Sequence, residues 1–193
     1  MTRKRAAMIV GGVAVVGLIA WGVTRALERF VRPQPTPPST AATATAPTAH
    51  ITATLYYGSQ NGDALVPVRR EVPLAEGIVA QGRQIVSAQL EAAPMPYVSV
   101  IPAGTSLRAF YVTERGEAFV DLSSQVSSAH PGGSLTELLT VYALVDAVTA
   151  NLPAVQRVQI LIEGKEVDTI AGHVDVRRPL QGDMSLVAAA GPQ

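Results

Sequence analysis

Residues 134–170 read SLTELLTVYALVDAVTANLPAVQRVQILIEGKEVDTI, and this stretch decides the fold class. Its first half predicts a helix, because Ser134 and Glu137 have the spacing of a capping box and Pro153 ends the pattern. The apolar side chains that recur at helical spacing are Leu135, Leu138, Leu139, Tyr142, Val145 and Val148. The second half alternates apolar and polar residues over 158–162, which predicts a half-buried strand with a hairpin at Gly164 to a strand at 167–170.

The preceding residues extend this pattern toward the N-terminus. Two runs rich in β-branched and aromatic residues, 51–57 and 65–72, flank a polar turn and predict strands. Apolar residues in 77–93 fall on one helical stripe, and a hairpin is predicted from 107–112 and 118–122. We therefore predict an α+β fold over residues 51–180, in which a mixed β-sheet is covered by two main helices.

The N-terminal residues predict a single transmembrane helix before this domain. Residues 6–23 contain no charge and would span about 27 Å as a helix, close to the apolar thickness of a bilayer. A cleaved signal peptide is the alternative, but its apolar stretch is usually shorter and ends at a small-x-small site, which this sequence fits badly. The basic tail 1–5 favours a cytoplasmic N-terminus, and hence an extracytoplasmic domain at the cell membrane.

Residues 33–50 are almost entirely Pro, Thr and Ala, so they predict a semi-rigid linker between the anchor and the domain. Residues 181–193 are small and polar toward their end and predict a frayed C-terminal tail.

Composition and charge exclude several classes of function. The absence of cysteine excludes disulfides, thiol nucleophiles, cysteine zinc sites and a lipid-modified cysteine. Residues 1–50 carry six basic and one acidic side chain, whereas residues 51–193 carry nine basic and fourteen acidic ones. A nucleic acid needs a clustered positive field, so the acidic domain predicts no nucleic-acid partner.

Three stretches resemble the GerMN domain, named for bacterial sporulation and germination proteins. They are LYY with LVPVRREVP (55–57 and 65–73), IPAGTSLRAFYVTERGEAFVDLSSQ (101–125), and the run 134–180 with its GHVDVRRPL segment. The resemblance implies an extracytoplasmic module without established enzymatic activity, whose fold is similar to ring-building motifs of envelope complexes. This chain differs from lipid-anchored members in lacking cysteine, and it has one copy of the domain where some members have two.

Candidate catalytic residues are few. His173 and Asp175 would point to the same face of a strand and could act as a base with its orienting group, or as two metal ligands. A third convergent group is missing, so we predict neither an enzyme nor a cofactor or metal site. The alternative hypothesis is a cell-wall ligand-binding or hydrolytic protein that uses His173 and Asp175, with Tyr142 in the same pocket.

Two arginine doublets are the candidate interface of the acidic domain. Arg69 and Arg70 lie in one predicted extended segment, and Arg177 and Arg178 lie in another. Their charges either discourage pairing at strand edges or dock a complementary partner. The favoured hypothesis is protein–protein assembly or scaffolding in the cell envelope, with envelope proteins as partners, self-association as a further interaction, and the membrane bound through residues 6–23.

Overall fold

Residues 49–188 are the part of the chain that the computed structural model describes. The predicted basic tail 1–5, the anchor 6–23, nearly all of the linker 33–50 and the last five residues lie outside it. Among residues 49–188, no helix combines the length and the apolarity that crossing a bilayer requires.

Six strands and three α-helices make up the described fold. In chain order the elements are β1 (His50–Gly58), β2 (Leu65–Pro73), α1 (Ile78–Gln89), β3 (Leu107–Val112), β4 (Glu117–Leu122), α2 (Gln125–Ser128), α3 (Ser134–Asn151), β5 (Arg157–Ile162), β6 (Lys165–Glu166) and a 3-10 turn (Met184–Leu186). The predicted α+β class is confirmed.

The strands form two sheets where the sequence predicted one. β1 and β2 form an antiparallel pair, and the other four strands follow the order β3-β4-β5-β6. β4 and β5 run parallel, so the four-stranded sheet is mixed as expected. The sheets stay separate because other groups, described below, occupy the outer edge of β1.

The predicted strand at 167–170 is wrong. β6 contains only Lys165 and Glu166, which face Ile162 and Leu161 of β5. Beyond Glu166 the outer edge of β5 pairs with Leu180 instead, since Val158 and Leu180 exchange two backbone hydrogen bonds of 2.8 Å. The backbone at Ile170 donates its N–H to a helix side chain, so it is not free to extend the hairpin.

α3 is buried around most of its circumference, because it contacts β1, α1 and β5. Its buried side chains include Val141, Leu144 and Val148, whereas Leu135 at its start is 47% exposed. The predicted capping box is wrong as well: Gly133 is the N-cap without a side-chain bond, and Glu137 turns into the interior. α1 packs on β3 where Gly82 meets the buried ring of Phe110.

The segment 180–188 connects both sheets. Leu180 pairs with β5, and at the other end Ala188 donates its N–H to the carbonyl of Leu65 in β2 at 2.8 Å. Between them, Asp183 donates its backbone N–H to Asp146 of α3 at 2.9 Å. The sequence analysis assigned residues 181–188 to a frayed tail, but the structure packs them on the domain.

Candidate functional site

The first arginine doublet is divided between solvent and an internal contact. Arg69 is exposed, and its neighbour Arg70 points to the other face of β2. Arg70 donates hydrogen bonds to the Tyr57 hydroxyl at 3.1 Å and to Glu91 at 2.9 Å. Arg70 therefore has an intramolecular role, and Arg69 is the member of the doublet that is available to a partner.

The second doublet lies on the surface beside Asp175. Arg177 donates two side-chain hydrogen bonds to Asp175, at 3.0 and 2.7 Å, and both residues are exposed. Hydrogen bonds from Arg177 hold the pKa of Asp175 well below its usual value. Arg178 is exposed and forms no ion pair among residues 49–188.

His173 bonds to Glu137 and does not meet Asp175. Its backbone N–H donates to one carboxylate oxygen of Glu137 at 2.8 Å, and its ring Nδ1 lies 3.2 Å from the same oxygen. The Asp175 carboxylate bonds to Arg177. Thus the two residues that the catalytic alternative requires bond to different partners and not to each other.

Glu137 of α3 forms a buried hydrogen-bonded cluster with Ile170, Ala171 and His173, which we call the clasp. The sequence analysis missed it. The Glu137 carboxylate is fully buried and also accepts the backbone N–H groups of Ile170 and Ala171, at 2.9 and 2.8 Å. Burial would raise the pKa of Glu137, but hydrogen bonds from the backbone of Ala171, His173 and Val174 and from the His173 ring outweigh it and lower the pKa. The clasp fixes the loop that carries His173 and leads to the second arginine doublet.

His130 lies close to this clasp and is held as a neutral ring. Gly132 donates its N–H to Nδ1 at 3.0 Å, so Nδ1 is unprotonated and Nε2 carries the proton. Nε2 then donates to the Thr140 hydroxyl at 3.1 Å, and that hydroxyl bonds to the carbonyl of Val100. Burial lowers the pKa of His130, which agrees with a structural role.

Asp146, two turns further along, is the second buried carboxylate of α3. One oxygen accepts the backbone N–H of Asp183, but Oδ2 has no hydrogen-bond partner in the described part of the chain. Burial raises the pKa of Asp146 to about 6, and burial also raises the pKa of nearby Tyr142. Tyr142 therefore lies near Asp183 of the 180–188 segment, and no hydrogen bond within residues 49–188 joins it to His173.

A groove of about 570 Å³ lies between the loop after α1 and the start of α3. Its walls are mostly apolar and include Leu90, Val98, Ile101 and Leu139. None of the titratable candidates lines it. Within residues 49–188 there is also no group of three His, Asp or Glu side chains placed to hold a metal ion.

Two side-chain amides occupy the outer edge of β1. Asn151 of α3 accepts the N–H of Thr54 at 2.8 Å and donates to its carbonyl at 2.7 Å. Gln89 of α1 bonds in the same two-way manner to Tyr56, at 2.9 and 2.6 Å. Each amide replaces one residue of a neighbouring strand, so β1 cannot accept another chain there.

Comparison with known proteins identifies the family of this domain. Residues 54–168, more than half of the chain, match the model of the Germane family, described as sporulation and spore germination. No curated protein matches the chain.

Two solved structures from Bacillus subtilis are similar. The tandem GerMN domains of the sporulation protein GerM are 19% identical with a TM-score of 0.54, covering 69% of this chain and 45% of that one. The first GerMN domain of GerM is 19% identical with a TM-score of 0.51, covering 69% of this chain and 96% of that one. At such identities the likeness shows a shared fold of GerMN type.

Proposed function

The chain belongs to the Germane family of sporulation and spore germination domains, and from this premise we propose that it is a membrane-anchored, extracytoplasmic module for protein–protein assembly in the bacterial cell envelope. The family match over residues 54–168 is the observation that carries the proposal. The uncharged stretch 6–23, with basic residues on its N-terminal side, supplies the anchor.

The surface chemistry of the domain favours binding over turnover. Arg69 and Arg178 are exposed cations on an acidic domain, and neither forms an ion pair within residues 49–188. Complementary charges of this kind fix the orientation of a partner and accelerate its association. By contrast, His173 hydrogen-bonds to Glu137 and Asp175 accepts hydrogen bonds from Arg177. The hydrolytic alternative therefore lacks the hydrogen bond between His173 and Asp175 on which it depends.

The anchoring part is tested on the full chain with a C-terminal tag in bacterial cells. We expect the protein to stay in membranes washed with alkaline carbonate, at its full mass, and to be degraded by protease added to spheroplasts. Deletion of residues 6–23 is the matched control and should release the protein into the soluble fraction. A processed form in the medium would contradict the anchor.

The assembly part is tested by native electrophoresis of membranes solubilised in mild detergent. We expect the wild-type chain in a species larger than its 20.2 kDa mass, and the variant R69E/R178E in a smaller one. Arg83→Glu changes the same charge at another exposed position on α1 and should leave the large species intact. Migration of the wild type as a monomer would contradict the proposal.

A further inference from the structure

Unpaired backbone groups at the edge of a β-sheet can pair with another strand, and this fold protects most of its edges. The outer edge of β1 is filled by Asn151, Gln89 and Val98, which bond Thr54, Tyr56 and Gly58. That edge is closed over residues 54–58, and its two remaining outward positions, His50 and Thr52, are exposed polar residues at the start of the strand. The outer edge of β5 is bonded by Leu180 and β6.

The outer edge of β2 is protected by composition. Its outward-facing positions are Leu65, Pro67, Arg69, Glu71 and Pro73, because the alternate residues face β1. Two of them are prolines, which have no N–H to donate, and Leu65 is already bonded to Ala188. The two that remain, Arg69 and Glu71, are exposed charged residues that oppose strand addition.

The outer edge of β3 has none of these protections over its last residues. Thr113 donates its N–H inward to Glu117 at 2.9 Å, so by alternation Phe110 and Val112 direct their backbone groups away from β4. No hydrogen bond within residues 49–188 uses those four groups outside the strand ladder. Both residues are uncharged, and Tyr111 between them is 58% exposed on the face opposite α1.

We propose that β3 pairs antiparallel with β3 of a second copy of this chain across a twofold axis, which names a partner for the assembly function and rests on it. Phe110 of each copy then lies opposite Val112 of the other, so the four outward groups of each strand are bonded. Tyr111 lies on the axis opposite the same residue of the second copy.

Charge and shape favour this register. Glu114 lies two residues beyond the end of β3, and the antiparallel arrangement brings it toward Arg108 of the second copy, a contact that the twofold repeats. Arg108 also pairs with Asp121 and Glu163 of its own copy. Aromatic pairs directly opposite one another in a sheet are favourable, so the two Tyr111 rings add a contact on the open face. A β-bulge between Leu107 and Ala109 interrupts the strand and confines the pairing to Ala109–Thr113.

An interface of this length is weak for molecules that diffuse freely. Confinement of the domain to a membrane surface raises the effective concentration of the second copy and allows such a contact to form. The pairing is therefore expected in membranes carrying the full chain and not in dilute solutions of it.

The test uses single cysteines, since the chain has none of its own. A residue and its counterpart in a non-hydrogen-bonded antiparallel pair have Cα atoms about 4.5 Å apart, which a disulfide can bridge. We expect Tyr111→Cys in the full chain to form a disulfide dimer when membranes are oxidised mildly. Ala109→Cys is the matched control, because the two cysteines would lie about 13 Å apart along the strands.

A second variant separates pairing from folding. Val112→Pro removes one outward N–H and leaves the inward ladder to β4 intact, so it should keep the thermal unfolding curve and abolish the dimer in the Tyr111→Cys background. The proposal is overturned if Tyr111→Cys reacts with a maleimide but forms no dimer, or if Ala109→Cys dimerises equally. A large species on native gels in either case would show that β3 pairing failed while the assembly function survived.

Discussion

At the residue scale, two buried carboxylates on α3 have opposite environments. Glu137 receives hydrogen bonds at both oxygens, whereas Asp146 has one oxygen without a partner in the described chain. The number of donors, and not burial alone, decides which carboxylate is stable as an anion. The two residues therefore make opposite contributions to the pH dependence of stability.

Glu137→Gln is expected to lower the free energy of unfolding by about 2 kcal/mol, because bonds to a charged group are worth about 1.5–3 kcal/mol and the amide keeps only one acceptor. The lowered pKa of Glu137 implies stability that is present above pH 4.5 and lost as the pH falls below it. Urea unfolding of the full chain at pH 7 and pH 4 measures both effects. The exposed Glu166→Gln is the control, and an equal loss in the two variants would contradict the clasp.

Asp146→Asn is expected to remove a loss of stability that the wild type shows as the pH rises. A pKa raised to about 6 means that the favourable contribution is complete below pH 3.8 and is lost as the pH rises through 6. The wild type should lose up to about 3 kcal/mol over this range relative to the variant, at about 1.4 kcal/mol per pKa unit. Urea midpoints at pH 4 and pH 7.5 test this, with Asp168→Asn as an exposed control. Parallel curves for the wild type and Asp146→Asn would rule out the burial of an unpaired carboxylate.

At the element scale, close approach and edge protection decide how helices meet strands. α1 approaches β3 at Gly82, where a methyl group would lie 2.2 Å from a ring carbon of Phe110. The same helix ends at Gln89, whose amide bonds to Tyr56. One helix thus fixes the position of β3 and closes the edge of β1.

Gly82→Ala is expected to lower stability by about 1–3 kcal/mol, as overpacking of a core does. In an exposed helix the same change would gain about 1 kcal/mol, so the sign of the effect identifies the contact with Phe110. The midpoint of urea unfolding measures it. Ser87→Ala on the exposed side of α1 should stay within about 0.5 kcal/mol of the wild type, and a stabilised Gly82→Ala would contradict the packing.

At the scale of the whole molecule, the segment 180–188 joins the two sheets across α3. It pairs with Val158 on one side and with Leu65 on the other, and it covers Asp146 between them. Because the sheets share no strand pairing, this segment and the helices are what hold them in place.

Removal of residues 180–193 is expected to destabilise the domain strongly, by several kcal/mol, since it breaks both pairings and exposes buried apolar surface. Removal of residues 189–193 alone leaves every described hydrogen bond in place and serves as the control. Thermal unfolding followed by circular dichroism measures the difference. Equal melting temperatures for the two truncations would show that the segment does not join the sheets.

The sequence by itself determined the α+β class, the family, the bounds of β1 to β4 within a residue or two, and the position of α3. These follow from local periodicity and turn residues, which neighbours in the chain set. Glu137 has the spacing of a capping box, but its partners Ile170 and His173 lie more than thirty residues away, so only the tertiary structure assigned it to the clasp.

The edges of the sheets were likewise decided by the tertiary structure alone. The sequence analysis predicts Gln89 and Asn151 as ordinary helix residues and Leu180 as the last residue of the domain, and only packing shows that they bond to β1 and β5. The division of the strands into two sheets has the same origin. Long-range hydrogen bonds depend on how helices and strands pack against one another, and the spacing of residues along the chain does not specify that packing.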